Sequence, residues 1–207
     1  MSSTVLLSTA YFPPISWFAA LLNSDIVILE VWETYSRQTY RNRCQILGPN
    51  GLQALSVPIS KPYGNSTKTT EVQIVTPSGW NRLHWRAIVT AYNASPFFLY
   101  YRDRIESVLF EPHESLFSLN LSLIELLFEL MKIQKSINLS INFQKDPKEL
   151  TDLRNSIHPK KTFRSPDTFE PYTQVFNSKY PFVPDLSIID LLFNEGPASK
   201  DYLLNLS

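Results

Sequence analysis

Three features of the 207-residue chain predict an α/β fold. Its opening reads strand, helix, strand, which is the pattern of a parallel crossover. Two apolar runs then flank Gly48-Pro49-Asn50-Gly51, a turn sequence that marks a hairpin. Helical periodicity follows, and a stretch dense in proline and aromatic residues comes last. The expected architecture is an N-terminal mixed sheet with a βαβ start and a hairpin, then a helical half and a proline-rich C-terminal segment. We divide the chain into an α/β domain over residues 1–157 and a segment over residues 158–207 packed on that same domain. The first holds its sheet in 4–76, helices in 80–134, and a further strand and short helix to 157; the second carries a short C-terminal helix.

Each element has a local reason. Val5 to Thr9 is a β-branched and aliphatic run, read as a buried strand. After Pro13-Pro14, residues Ile15, Phe18, Leu21 and Leu22 recur at helical spacing. Asn23-Ser24-Asp25 closes that helix, and Ile26 to Leu29 is a second buried strand. Asn42–Leu47 and Leu52–Ile59 form the hairpin, and Glu71–Val75 a further strand. Ser78 is a suitable N-cap for a helix from about Trp80 to Asn93, and another helix follows Pro96. Ser118–Ile133 is apolar except for a stripe through Ser118, Ser122, Glu125, Glu129 and Lys132, so it is predicted to be mostly enclosed, with Glu129 pairing with Lys132. Between His158 and Pro184 the aromatics argue for a packed strap or lid rather than disorder. The last helix starts near Ser187, with Asp185 as its expected cap and Gly196-Pro197 as its stop.

Composition excludes several functions. Lys+Arg and Asp+Glu balance at 19 each, so no field suited to nucleic acid surrounds the molecule, and any anion site must be local. With five glycines against fifteen prolines, neither G-x-G-x-x-G nor a Walker A loop occurs. The single cysteine, Cys44, excludes an intramolecular disulfide framework and a Cys-rich zinc site, and no His has metal-ligand spacing to another His or Cys. No signal peptide and no bilayer-length apolar run is recognised, which leads to the expectation of a soluble cytoplasmic protein without an integral membrane segment. The sequence names no cofactor and no oligomeric state.

Two places can hold chemistry. On a strand beginning at Asn42, Arg41 and Arg43 share one face, where their guanidiniums can grip a phosphate or carboxylate; the alternatives are an internal salt bridge to Glu30, Glu33 or another acid, or a simple solvated edge. The loop YFPPISWF lies between the first parallel strand and its helix, at the sheet edge where open α/β folds bind ligands. There Tyr11 and Trp17 either stack on a ligand ring or pack in the core, and amides near Ser16 can receive a phosphate. Lys160, Lys161 and Arg164 form another basic group on the strap. Cys44 reads as a small buried hydrophobe rather than a nucleophile.

The segments YFPPISWF, YRNRCQILGPNG followed by LSVPI, NRLHWRAIVTAYNASPFF and LSIIDLLFNEGP together resemble the WbqC-like protein family, bacterial proteins often encoded with cell-surface polysaccharide genes. The resemblance runs from residue 11 to residue 197. The chain differs from the family's commoner pattern in having Ser8-Thr9 where Gln-Pro is usual, and Leu29-Glu30, with Glu33 nearby, where an acidic pair is usual. The resemblance implies a surface-polysaccharide (O-antigen) pathway more than a mechanism. Within it, His84 is the first choice for a proton-moving catalytic residue, with Glu33 or Glu195 orienting it. Tyr11, Trp17, Arg41, Asn42, Arg43 and Asn194 are the expected substrate contacts. The leading expectation is a group transferase acting on a nucleotide-sugar or sugar-phosphate ligand; the rival is a non-catalytic protein that recognises a glycan intermediate or a partner protein.

Overall fold

A computed structural model describes residues 3–75 and 79–206. Strand β1 (Thr4–Ser8), helix α1 (Ile15–Leu22) and strand β2 (Ile26–Glu30) form the expected crossover, with β1 and β2 parallel and Ser8 opposite Glu30 at their carboxyl ends. Alternation sends Val5, Leu7, Val27 and Leu29 into the core beneath α1, each 1% exposed or less. Strands β3 (Arg43–Gly48) and β4 (Gly51–Ser56) form the hairpin, with Gly48 opposite Gly51. Gly51 has φ +101°, a value that requires glycine, and the carbonyl of Pro49 at the tip accepts hydrogen bonds from Lys179 Nζ (2.6 Å) and Tyr180 Oη (3.1 Å). The hairpin forms a sheet of its own, and the expected strand at 71–75 shortens to β6 (Gln73–Ile74), paired with β5 (Ile59–Ser60).

The helical half follows as α2 (Trp80–Tyr92), α3 (Phe98–Phe110) and α4 (Leu116–Leu130). The expected cap at Ser78 lies outside the described residues. Helix α4 starts earlier than its polar stripe suggested, because Ser115 caps it by accepting from Ser118 N at 3.1 Å. Glu129 pairs with Arg104 of α3 at 2.7 Å rather than with Lys132, which has left the helix at φ +53°.

Strands β7 (Ile137–Leu139) and β8 (Thr151–Asp152) complete the main sheet, which is four-stranded, entirely parallel and ordered β7-β2-β1-β8. Its outer strands therefore come from beyond the helices rather than from residues 4–76. Where one further strand is expected before residue 157, two form, each short and held by its pairing with β2 or β1. In place of the short helix expected before residue 157 there is a turn, closed by Ile157 N donating to Leu153 O at 3.3 Å. The strap over residues 158–184 is irregular but packed, with Phe169 buried and Phe163, Tyr172 and Phe182 against the core. It leads into α5 (Ile188–Glu195) and α6 (Ser199–Asn205). Gly196 separates these two helices at φ +53°, ψ −122°.

Candidate functional site

The strand order places the reversal of direction between β1 and β8. In open α/β sheets the crevice at the carboxyl ends of such strands is where ligands bind. Here that crevice is filled by the protein's own charges. Glu33 takes Arg41 in two hydrogen bonds of 2.7 Å each, through Nε and Nη2, and Arg41 also donates to Ser8 Oγ. Beside them Arg154 grips Asp152 (2.6 and 2.9 Å) and donates to Glu30 Oε2 at 3.1 Å. Glu30 Oε1 accepts from Ser140 Oγ and Trp32 N, each at 2.8 Å. The cavity left between Thr9, Tyr40, Arg41 and Arg154 measures about 10 Å³, space for one water at most.

Arg41 and Arg43 therefore do not act together. Strand β3 begins at Arg43, so Arg41 lies in the preceding turn, where strand alternation does not apply. It is 2% exposed and committed to Glu33, which in turn is neutralised as an orienting carboxylate. Arg43 turns instead into a separate hollow of about 570 Å³ lined by Tyr35, Arg37, Gln38, Asn42, Lys61 and Gly64 among others. Among the described residues the ion pairs employ Arg41, Arg102, Arg104 and Arg154, and leave Arg37, Arg43 and Lys61 without a carboxylate. Two residues of its lining each carry a solvent-inaccessible side-chain atom without a hydrogen-bond partner, Arg43 Nε and Asn42 Oδ1. The orientation of the Asn42 amide follows from its network, because Nδ2 lies 2.9 Å from the carbonyl of Val57, which can only accept.

The remaining expected contacts lie elsewhere. Tyr11 is fully buried; its Oη sits 2.9 Å from His84 Nδ1, and burial pushes its pKa well above the ordinary value. Trp17 is 2% exposed and donates through Nε1 to Ser8 O at 3.0 Å. Neither presents a face to a ligand. Burial lowers the pKa of His84 to about 4, against the opposing effect of a backbone hydrogen bond at Ser56, so the ring is neutral at physiological pH. A carbonyl can only accept, so the ring donates to Ser56 and its Nδ1 accepts from Tyr11. A neutral imidazole enclosed by Tyr11, Trp80 and the Ser56 carbonyl is a core group. Asn194 donates to Asp190 O one turn back at 2.8 Å, while Glu195 lines a different hollow of about 710 Å³ with Glu170, Tyr172, Asp201 and Tyr202. Cys44 is fully buried and its thiol pKa is pushed far up by that burial, which removes it as a nucleophile.

The start of α1, expected to offer free amides, is already occupied. Asp185 Oδ1 accepts from Ser16 N at 2.8 Å and Oδ2 from Ser16 Oγ at 2.9 Å. Asp185 thus caps α1 rather than the helix that follows it, and burial raises its pKa to about 6. The backbone bonds Ile15 N to Leu186 O (3.0 Å) and Ile188 N to Pro13 O (2.8 Å) clasp the two loops together. Sequence reasoning missed Lys61 and the partners of Arg154. Lys61 has no flanking motif, and only the return of the chain after the hairpin brings it beside Arg43.

Among the described residues no cluster of His, Cys, Asp and Glu is suited to a metal ion, and no helix is long and apolar enough to cross a membrane. The sequence model of the WbqC-like protein family matches residues 9–166 and 156–202. A curated relative, an uncharacterized protein of Mycobacterium tuberculosis, is 24% identical over 230 aligned positions, covering 98% of each chain. No solved structure matches.

Proposed function

The chain belongs to the WbqC-like protein family, and from that premise we propose that it recognises a phosphorylated or nucleotide-linked sugar in the basic hollow at Arg43. One observation carries this reading: Arg37, Arg43 and Lys61 meet in one hollow, and among the described residues none of them is paired with a carboxylate. Cationic groups gathered without counter-charges favour an anionic ligand, and a phosphate can take charge-assisted hydrogen bonds from both guanidinium and ammonium groups. The volume is within the range of small-molecule sites, roughly 300–1,000 Å³.

Recognition is favoured over group transfer because the expected catalytic set does not assemble. His84 is neutral in the core, Glu33 is spent on Arg41, and Glu195 lines another hollow. The family resemblance supports a cytoplasmic role in surface-polysaccharide assembly, where a protein that holds a glycan intermediate has a place. The test is calorimetric titration with glucose 1-phosphate, glucose and inorganic phosphate, on the protein and on Arg43→Ala. Binding of the sugar phosphate that exceeds that of either fragment, and is lost in the variant while its melting temperature is kept, is the expected result. Equal binding by inorganic phosphate, or none by any of the three, refutes the reading.

A further inference from the structure

One lysine of the strap reaches the lining of this hollow. Lys160 Nζ reaches Gln38 Oε1, a residue of the hollow's lining 122 positions earlier in the chain. Burial lowers the pKa of His158, and the positive charges of Lys161, Lys160, Arg41 and Arg43 lower it further, so strap lysines and Arg43 bear on one ring. Two cationic groups brought together this way repel unless something anionic lies between them. Glu33 is already consumed by Arg41, and Asp185 by the start of α1.

The acceptors that hold these lysines are all of one kind. Lys61 Nζ sits on the side-chain oxygen of Asn65 (3.0 Å), Lys160 on that of Gln38, and Lys161 on the backbone carbonyl of Asn155 (2.8 Å). All three acceptors are neutral. A charge-assisted bond to a phosphate oxygen is stronger than a bond to a neutral carbonyl, so an arriving phosphate can displace any of them. Arg154, by contrast, is fastened to carboxylates, and a ligand has no such advantage over Asp152 or Glu30. The exchangeable cations thus fall into two sets on two chain segments, Arg37, Arg43 and Lys61 on one and Lys160 and Lys161 on the other.

Resting on the proposed reading of this hollow, we infer that its ligand carries a diphosphate, one phosphate held by Arg43 with Lys61 and the other by Lys160 from the strap. A single phosphate group engages one set and leaves the other facing it uncompensated. A diphosphate linkage has two anionic centres joined by one oxygen and compensates both. Nucleoside diphosphate sugars and lipid diphosphate sugars share this chemistry.

Calorimetric titration with UDP-glucose, geranyl diphosphate and glucose 1-phosphate tests the inference on the wild type and on Lys160→Ala, whose side chain is exposed. UDP-glucose is expected to bind about tenfold more tightly than glucose 1-phosphate, the equivalent of about 1.4 kcal/mol. Lys160→Ala should bring the two within about twofold of each other, with glucose 1-phosphate unaffected, a shift on the scale of one charge-assisted hydrogen bond. Geranyl diphosphate binding as tightly as UDP-glucose supports recognition of the diphosphate itself; weaker binding by it, with the Lys160 effect kept, supports the nucleotide-linked source. Glucose 1-phosphate binding as tightly as UDP-glucose, or Lys160→Ala weakening both alike, overturns the diphosphate inference and leaves sugar-phosphate recognition standing. Binding of none of the three overturns both.

Discussion

Replacing Asp190 with asparagine should remove about half of a pH-dependent loss of stability that it shares with Asp185. Asp190 is 1% exposed and, among the described residues, is paired with no cation. Its carboxyl accepts from Tyr172 Oη (2.6 Å) and Gln174 Nε2 (3.1 Å), which ties the strap to α5. Burial nonetheless outweighs those hydrogen bonds and raises its pKa from 3.8 to about 6. Between these two values the folded protein binds more protons than the unfolded chain. The stabilisation is therefore complete below the unfolded pKa and is lost as the pH rises through the folded one. The difference of about two units corresponds to ~3 kcal/mol in full, of which ~2 kcal/mol falls between about pH 4.5 and 7.5. Urea unfolding of wild type and Asp190→Asn across that interval reads the effect directly. The variant should show a shallower decline by that amount, with a residual slope from Asp185, whose pKa is raised in the same direction. A stability difference between the two proteins that stays constant over the interval would refute the assignment of a strained, buried carboxylate to Asp190.

Three further outcomes follow from other contacts. Arg41→Ala strands the buried Glu33 carboxylate without its counter-charge and should cost about 3–5 kcal/mol by chemical denaturation, whereas Arg43→Ala, which breaks no ion pair, should cost far less. Gly196→Ala places a Cβ 2.5 Å from the Phe97 ring at a φ that disfavours side chains, so a loss of at least about 2 kcal/mol, seen as a lowered melting temperature, is expected. The His84 ring, followed by NMR, should show no protonation near the ordinary histidine value and titrate only close to pH 4; a transition near 6.5 would place it in solvent, against the enclosed geometry.

Much of the fold was legible because its signals are local. The βαβ opening is written in adjacent apolar runs broken by Pro13-Pro14, and the hairpin in Pro49, Asn50 and Gly51. The end of α5 was legible for the same reason, in Gly196 and Pro197. One further strand before residue 157 was expected, but not that two form there nor which strands they join, since three and two residues carry too little pattern and each pairs with a strand more than a hundred positions away. Helix α6 gave no separate sign either, lying just beyond the stop at Gly196-Pro197.

The site divides along the same line. Sequence alone established that any anion must be met by side chains, because no glycine-rich loop exists, and that YSRQTYRNR concentrates the arginines able to meet it. Only the tertiary structure decided which of them is free. Arg41 falls before the strand and is claimed by Glu33, Arg43 falls within it and opens into the hollow, and Asp185 arrives from 169 residues away to occupy the start of α1. The physical reason is that helices and turns are specified by neighbours in the chain, whereas the partner of a charge is chosen by which groups folding brings within a few ångströms and removes from water.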